Sequence, residues 1–114
     1  MFALAVAATL PAAPPAEPTL RTFDVVASRF AFQPDVLEVH EGDRVLLRLR
    51  SVDTDHGFGI KEFKVKTPVP KTGEPVSVEF VATRAGTFRF ECSQYCGKGH
   101  SRMKGQLIVH SRQP

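Results

Sequence analysis

The chain has 114 residues, 42% of them hydrophobic and 24% charged, with nine Phe, one Tyr and no Trp. That length suits one domain around one core, and the composition is globular, not disordered. The formal charge is +3, and basic residues alternate with acidic ones along the chain without forming a long run, which argues against nucleic-acid binding.

The opening stretch, MFALAVAATLPAAPPAEP, differs from the rest. Phe2 to Leu10 is an apolar run, but a membrane span needs about 20 apolar residues, so no span is expected here. The run has the character of a secretion signal without its basic start, and the Pro/Ala stretch after it reads as an extended linker. Residues 1–19 are therefore set apart from a folded domain over residues 20–114. That domain is expected in the periplasm or elsewhere outside the cytoplasm.

From Leu20 onward the hydrophobic pattern has period two. In RVLLRLR, Val45, Leu47 and Leu49 share one face, and Arg44, Leu46, Arg48 and Arg50 share the other. Val76, Val78 and Phe80 alternate with Ser77 and Glu79. Phe88, Phe90 and Cys92 alternate with Thr87, Arg89 and Glu91. Alternation of this kind predicts half-buried strands, here over residues 21–29, 35–40, 44–51, 57–65, 75–82, 86–92 and 104–110. Gly, Pro and charged residues punctuate the gaps, in HEGD, VPKTGEP and TRAG. About seven short strands without a helical repeat predict an all-β antiparallel sandwich with Greek-key connections.

The chemistry concentrates in CSQYCGKGHSRM, residues 92–103, which hold both cysteines, one of four histidines and one of two methionines. Three readings of Cys92, Cys96, His100 and Met103 are open. A disulfide between Cys92 and Cys96 would suit an exported protein, but it leaves His100 and Met103 unused. Zinc would take the two cysteines, His100 and one more histidine, and leaves the methionine idle. Copper accepts thiolate, thioether and imidazole together, and two thiolates on one loop are able to bridge two ions. That arrangement needs a second histidine, and His56 at the start of a strand is the candidate. His40 and His110 read as surface histidines.

The spacing C-x3-C-x3-H-x2-M resembles the dinuclear copper (CuA) loop of cytochrome c oxidase subunit II. Gly97 matches the glycine after that family's second cysteine, DHGF matches the segment that carries its first histidine ligand, and residues 30–51 resemble its first core strands. The resemblance runs from about residue 22 to 110. It implies a cupredoxin-like fold and a metal set of His56, Cys92, Gln94 (through its backbone carbonyl), Cys96, His100 and Met103. Two copper ions would be bridged by the thiolates, with His56 and Met103 on one ion and His100 and the Gln94 carbonyl on the other. It also implies electron transfer with a cytochrome c or a small copper protein as partner, and an oxidase catalytic subunit as a further one.

The sequence departs from that family at several points. Gln94 stands where many members carry a glutamate that helps bind magnesium, so the resemblance does not extend to a magnesium site. No Trp is present to serve as an aromatic entry point; Phe30, Phe32 and Tyr95 are the candidates to replace it. Asp55 precedes His56 and is expected to orient or solvate the imidazole, while Phe58, Phe88 and Phe90 are candidates to wall the site. Lys98, Arg102 and Lys104 surround the ligands in sequence. No general base or activated hydroxyl is evident, so the domain is not expected to turn over a substrate by itself. A mononuclear copper protein and a copper chaperone or store are the alternative functions.

Overall fold

A computed structural model describes residues 17–112. The apolar run and most of the Pro/Ala stretch lie outside the described residues, so the expected leader segment does too. The alternating segments form nine strands among the described residues: β1 (Leu20–Ser28), β2 (Ala31–Gln33), β3 (Val36–His40), β4 (Arg44–Ser51), β5 (His56–Ile60), β6 (Val65–Val69), β7 (Val76–Val81), β8 (Gly86–Glu91) and β9 (Lys104–His110). They build a four-stranded sheet in the order β2-β1-β4-β7 and a five-stranded sheet in the order β3-β9-β8-β5-β6.

The period-two pattern explains the sandwich. Val45, Leu47 and Leu49 of β4 are buried between the sheets, while Arg44, Arg48 and Arg50 face solvent. Leu37, Val39, Phe58, Ile60, Phe90, Leu107 and Val109 fill the same core from the facing sheet. Burying one such side chain fully is worth about 1.5–3 kcal/mol, so sliding a strand by one residue, which turns its apolar face outward, is strongly disfavoured.

Two expectations need correction. The predicted strand over 57–65 is two strands joined by a 3-10 turn at Lys61–Phe63. Lys64 closes that turn in the left-handed region, at φ 57, and Phe63 tucks its ring against Phe80 and Phe88. Residues 61–64 thus reverse the chain instead of extending it. Nor is the sandwich purely antiparallel, because β1 pairs with β4 in parallel and β3 with β9 in parallel. Between β1 and β4 the chain crosses to the other sheet to lay down β3, and it returns running in the β1 direction.

A buried carboxylate clamps the end of the sandwich where β3 ends and β4 begins. Asp43 is fully buried. It accepts hydrogen bonds from the Thr19 and His40 amides at 3.0 and 2.9 Å and from Arg112 at 2.5 Å. The start of β1, the β3–β4 turn and the segment after β9 thus meet on one side chain. Burial alone would raise the Asp43 pKa; the Thr19 and His40 amides, then the Arg112 guanidinium, outweigh it and hold the carboxyl below its ordinary value. A group with a depressed folded-state pKa stabilises the fold above its unfolded pKa. That contribution is lost as pH falls through the folded one. Asp43→Ala is therefore expected to lower stability at pH 7 by about 3 kcal/mol. In urea unfolding, the gap between wild type and variant should narrow below pH 4; a gap that is the same at pH 3 and pH 7 contradicts the clamp.

Candidate metal centre

The site lies at the opposite end, where β8 and β9 diverge. Glu91 pairs with Lys104 as the last rung of their ladder, and the Cys92 amide donates to the Met103 carbonyl at 3.1 Å. Residues 92–103 are thus pinned at both ends. Inside the loop, the His100 amide donates to the Gly97 carbonyl and the Met103 amide to the His100 carbonyl, which makes a 3-10 turn over His100–Arg102. Gly97 has φ +136, and a Cβ there would lie 2.9 Å from the Phe30 ring, so the loop packs against that ring only with glycine at this position. Gly57 has a similar part on β5. A side chain there would strike Ser93 Oγ and come within 2.9 Å of the Gln94 backbone nitrogen, so glycine lets the loop lie directly on β5.

This packing gathers the ligand candidates. Cys92 Sγ lies 3.4 Å from Cys96 Sγ, 4.0 Å from His56 Nδ1 and 3.0 Å from the Gln94 carbonyl oxygen. Cys96 Sγ lies 3.6 Å from His100 Nδ1 and 3.7 Å from Met103 Sδ. All six residues named from the sequence therefore converge on one place, and His56, Cys92 and Cys96 alone form a compact metal-competent cluster. The Gln94 side chain points out to solvent while its carbonyl approaches Cys92. His40 and His110 stay apart at the Asp43 end, with rings 5.6 Å from each other and His110 bonded to Glu38 at 3.0 Å.

Both cysteines are free and buried. A disulfide needs sulfurs about 2.05 Å apart, so the 3.4 Å pair is not one. Burial, then the neighbouring Cys92, pushes the Cys96 thiol up to about 12. Two thiolates this close in a dry pocket repel each other, and a cation placed between them removes that repulsion. The donors around them are soft or borderline, namely two sulfurs, a thioether, two imidazole nitrogens and a carbonyl, and this set suits copper.

His56 is fully buried and is oriented by Asp53, not by Asp55. Asp53 Oδ1 lies 2.8 Å from His56 Nε2, whereas Asp55 accepts from the Lys71 amide. Asp53 also accepts from the Arg29 and Thr54 amides, each at 2.7 Å. Its burial would raise its pKa, but the Arg29 amide, the His56 ring and the Thr54 amide outweigh that and hold it low. An ionised carboxylate only accepts, so Nε2 carries the proton and Nδ1 turns its lone pair toward Cys92. Sequence reading missed this residue. The signal was an aspartate in a turn three residues before the histidine, placed to take the next backbone N–H.

The wall of the site also differs from expectation. Strand alternation puts Phe58 on the His56 face and Phe90 on the Cys92 face, and these rings form a triad with Phe32 at centroid distances of 5.1–5.5 Å. Phe88 belongs one layer further away, 4.8 Å from Phe63. Phe30 covers the glycines of the loop. Tyr95 is 73% exposed, with its ring 5.7 Å from that of His100.

The sequence matches the family described as Cupredoxin-like domain over residues 1–109. The chain belongs to this family. Two proteins named cytochrome c oxidase subunit 2 from Thermus thermophilus are each 35% identical to it over 92 residues, 81% of the chain. The match spans 67% of one relative and 54% of the other, so this cupredoxin domain corresponds to between about half and two thirds of them. The crystal structure of the periplasmic domain of subunit II of cytochrome oxidase from Bradyrhizobium japonicum superposes with a TM-score of 0.71 at 20% identity, over 79% of this chain and 83% of that one. That likeness shows the shared two-sheet fold. The cupredoxin domain is thus a homologue of cytochrome c oxidase subunit 2 with a His–Cys–Cys cluster able to bind copper.

If Asp53 sets the His56 tautomer, Asp53→Ala should weaken copper binding by about tenfold to a hundredfold, measured by competition with a chelator. In the metal-free protein, nitrogen NMR should show His56 protonated at Nε2 in wild type and in mixed tautomers in the variant. An unchanged tautomer in the variant contradicts the assignment.

Proposed function

We propose that the domain carries single electrons through a dinuclear copper centre. Cys92 and Cys96 would bridge the two ions, with His56 and Met103 completing one and His100 and the Gln94 carbonyl the other. The observation that carries this reading is the pair of free, buried sulfurs 3.4 Å apart, each with its own imidazole Nδ1 within 4.0 Å. The kinship with cytochrome c oxidase subunit 2 supports it. Copper bound there supplies a one-electron couple.

The chain's own residues supply the rest. The β8–β9 clamp and Asp53 hold the donors in place before metal arrives, so little has to move when charge changes. The Phe32–Phe58–Phe90 layer keeps water from the inner side. His100 is half-buried and gives the site its outward edge. The same kinship supports a place outside the cytoplasm, a cytochrome c or small copper protein as redox partner, and an oxidase catalytic subunit as electron acceptor. Among the described residues no helix is long and apolar enough to cross a membrane.

A copper store or chaperone would use the same donors, but delivery favours ligands open to a recipient. Here Cys92 and Cys96 are 4% and 7% exposed, which favours retention over release. A mononuclear copper protein would leave one of the two thiols without a task.

The loaded protein is expected to bind two coppers per chain, to be purple, and to show a seven-line hyperfine pattern from one electron shared by two nuclei. Cys92→Ser should abolish that pattern. A blue protein with one copper would establish the mononuclear reading instead, and a colourless copper(I) adduct that yields its metal to a weak chelator would establish the store.

A further inference from the structure

We infer that the face around His100 docks an acidic redox protein, an inference about partner choice that rests on the electron-transfer reading above. The register of the five-stranded sheet lays out this face. Lys66 pairs with Gly59, Gly59 with Glu91, and Glu91 with Lys104, so one row of residues crosses four adjacent strands beside the ligand loop. Gly59 brings no side chain to that row, and a cavity of about 290 Å³ opens there. Its walls include Lys61, Lys66, Cys92 and His100, so the cavity reaches the metal ligands directly. A second cavity of about 600 Å³ has Lys104, the last residue of that row, and Arg89 on its wall. Lys98 and Arg102 project from the ligand loop itself and are exposed.

Six cations therefore border the ligand edge. The carboxylates near the ligands are Glu91, held by Lys61 at 3.6 Å and Arg89 at 3.8 Å, Asp53 on the His56 ring, and Asp35 on the far cavity wall. Among the described residues no carboxylate pairs with Lys66, Lys98, Arg102 or Lys104. The rest of the chain holds nine cations and nine carboxylates, so the excess positive charge of the whole molecule resides on this face. Such a field speeds encounter with a negative partner and repels a positive one. Tyr95, exposed beside His100, adds a flat apolar contact to this face. A protein partner fits this layout better than an anionic membrane does. A lipid surface would cover the His100 edge, where a redox partner has to approach.

The test uses the full chain with an acidic c-type cytochrome, a basic one, and phosphatidylglycerol vesicles. The rate of electron exchange with the acidic cytochrome should fall about tenfold from low to physiological ionic strength. Lys66→Glu with Lys104→Glu should produce a similar fall at low salt, with copper content and optical spectrum unchanged. Amide shifts at Tyr95, Lys98 and Arg102 on titration with the acidic cytochrome report docking without any need for copper, so failure of the copper reading would leave this arm intact. Faster exchange with the basic cytochrome, a rate indifferent to salt, or vesicle binding that the double variant abolishes while the cytochrome produces no shifts would each overturn the inference.

Discussion

The site turns on two sulfur atoms held 3.4 Å apart in nearly buried residues. Left ionised they repel; left protonated, Cys96 resists ionisation, because burial and the neighbouring Cys92 push its thiol up to about 12. A bound cation resolves both problems, so the pocket is organised around charge that the polypeptide does not itself supply. Much of the surrounding sequence can be understood as the means of keeping that pair close. The Cys92–Met103 backbone bond closes the loop, Gly57 lets it rest on β5, and Gly97 lets Phe30 seal its outer side.

The two ends of the sandwich solve the same physical problem in different ways. Each uses an aspartate that accepts backbone amides, one of them from a segment far off in sequence, although Asp43 is fully buried and Asp53 is exposed. At one end Asp43 joins Thr19, His40 and Arg112, and its product is stability. At the other, Asp53 joins Arg29, Thr54 and His56, and its product is orientation. Arg112 neutralises Asp43 with a permanent charge. His56 meets Asp53 with a single N–H, which leaves the imidazole's other nitrogen available as a donor.

What was legible in the sequence divides along physical lines. Strand faces were readable because burial imposes period two on every strand, as in Val45, Leu47 and Leu49. The ligand loop was readable because its donors are rare residue types at fixed spacing. His56 was readable because a pair of bridged ions needs a second histidine, and the DHGF resemblance then supported it; one histidine at a strand start carries no local signature of its own. Asp53 and Asp55 flank the same threonine, and the choice between them depends on how a turn folds back on the Arg29 amide, 24 residues away in sequence. Phe32 was named as a candidate entry aromatic but not as part of the wall, for a similar reason: β2 is three residues long, too short for periodicity, and its ring joins the site wall only through tertiary packing. The parallel pairing of β1 with β4 is a property of the crossover between sheets, which no local pattern encodes.

The arrangement of charge completes the logic of the site. Directly behind the sulfurs lies a layer of three phenylalanines, which screens poorly and lets fields persist. Any carboxylate close to the pair would oppose ionisation of the thiols, and Asp53 does act on Cys96 in that direction while Arg29 acts in the other. Cations at the outer rim attract negative charge from solution. That distribution of lysine and arginine serves the approach of a partner to His100, because the cavity wall that carries Lys61 and Lys66 also carries Cys92 and His100.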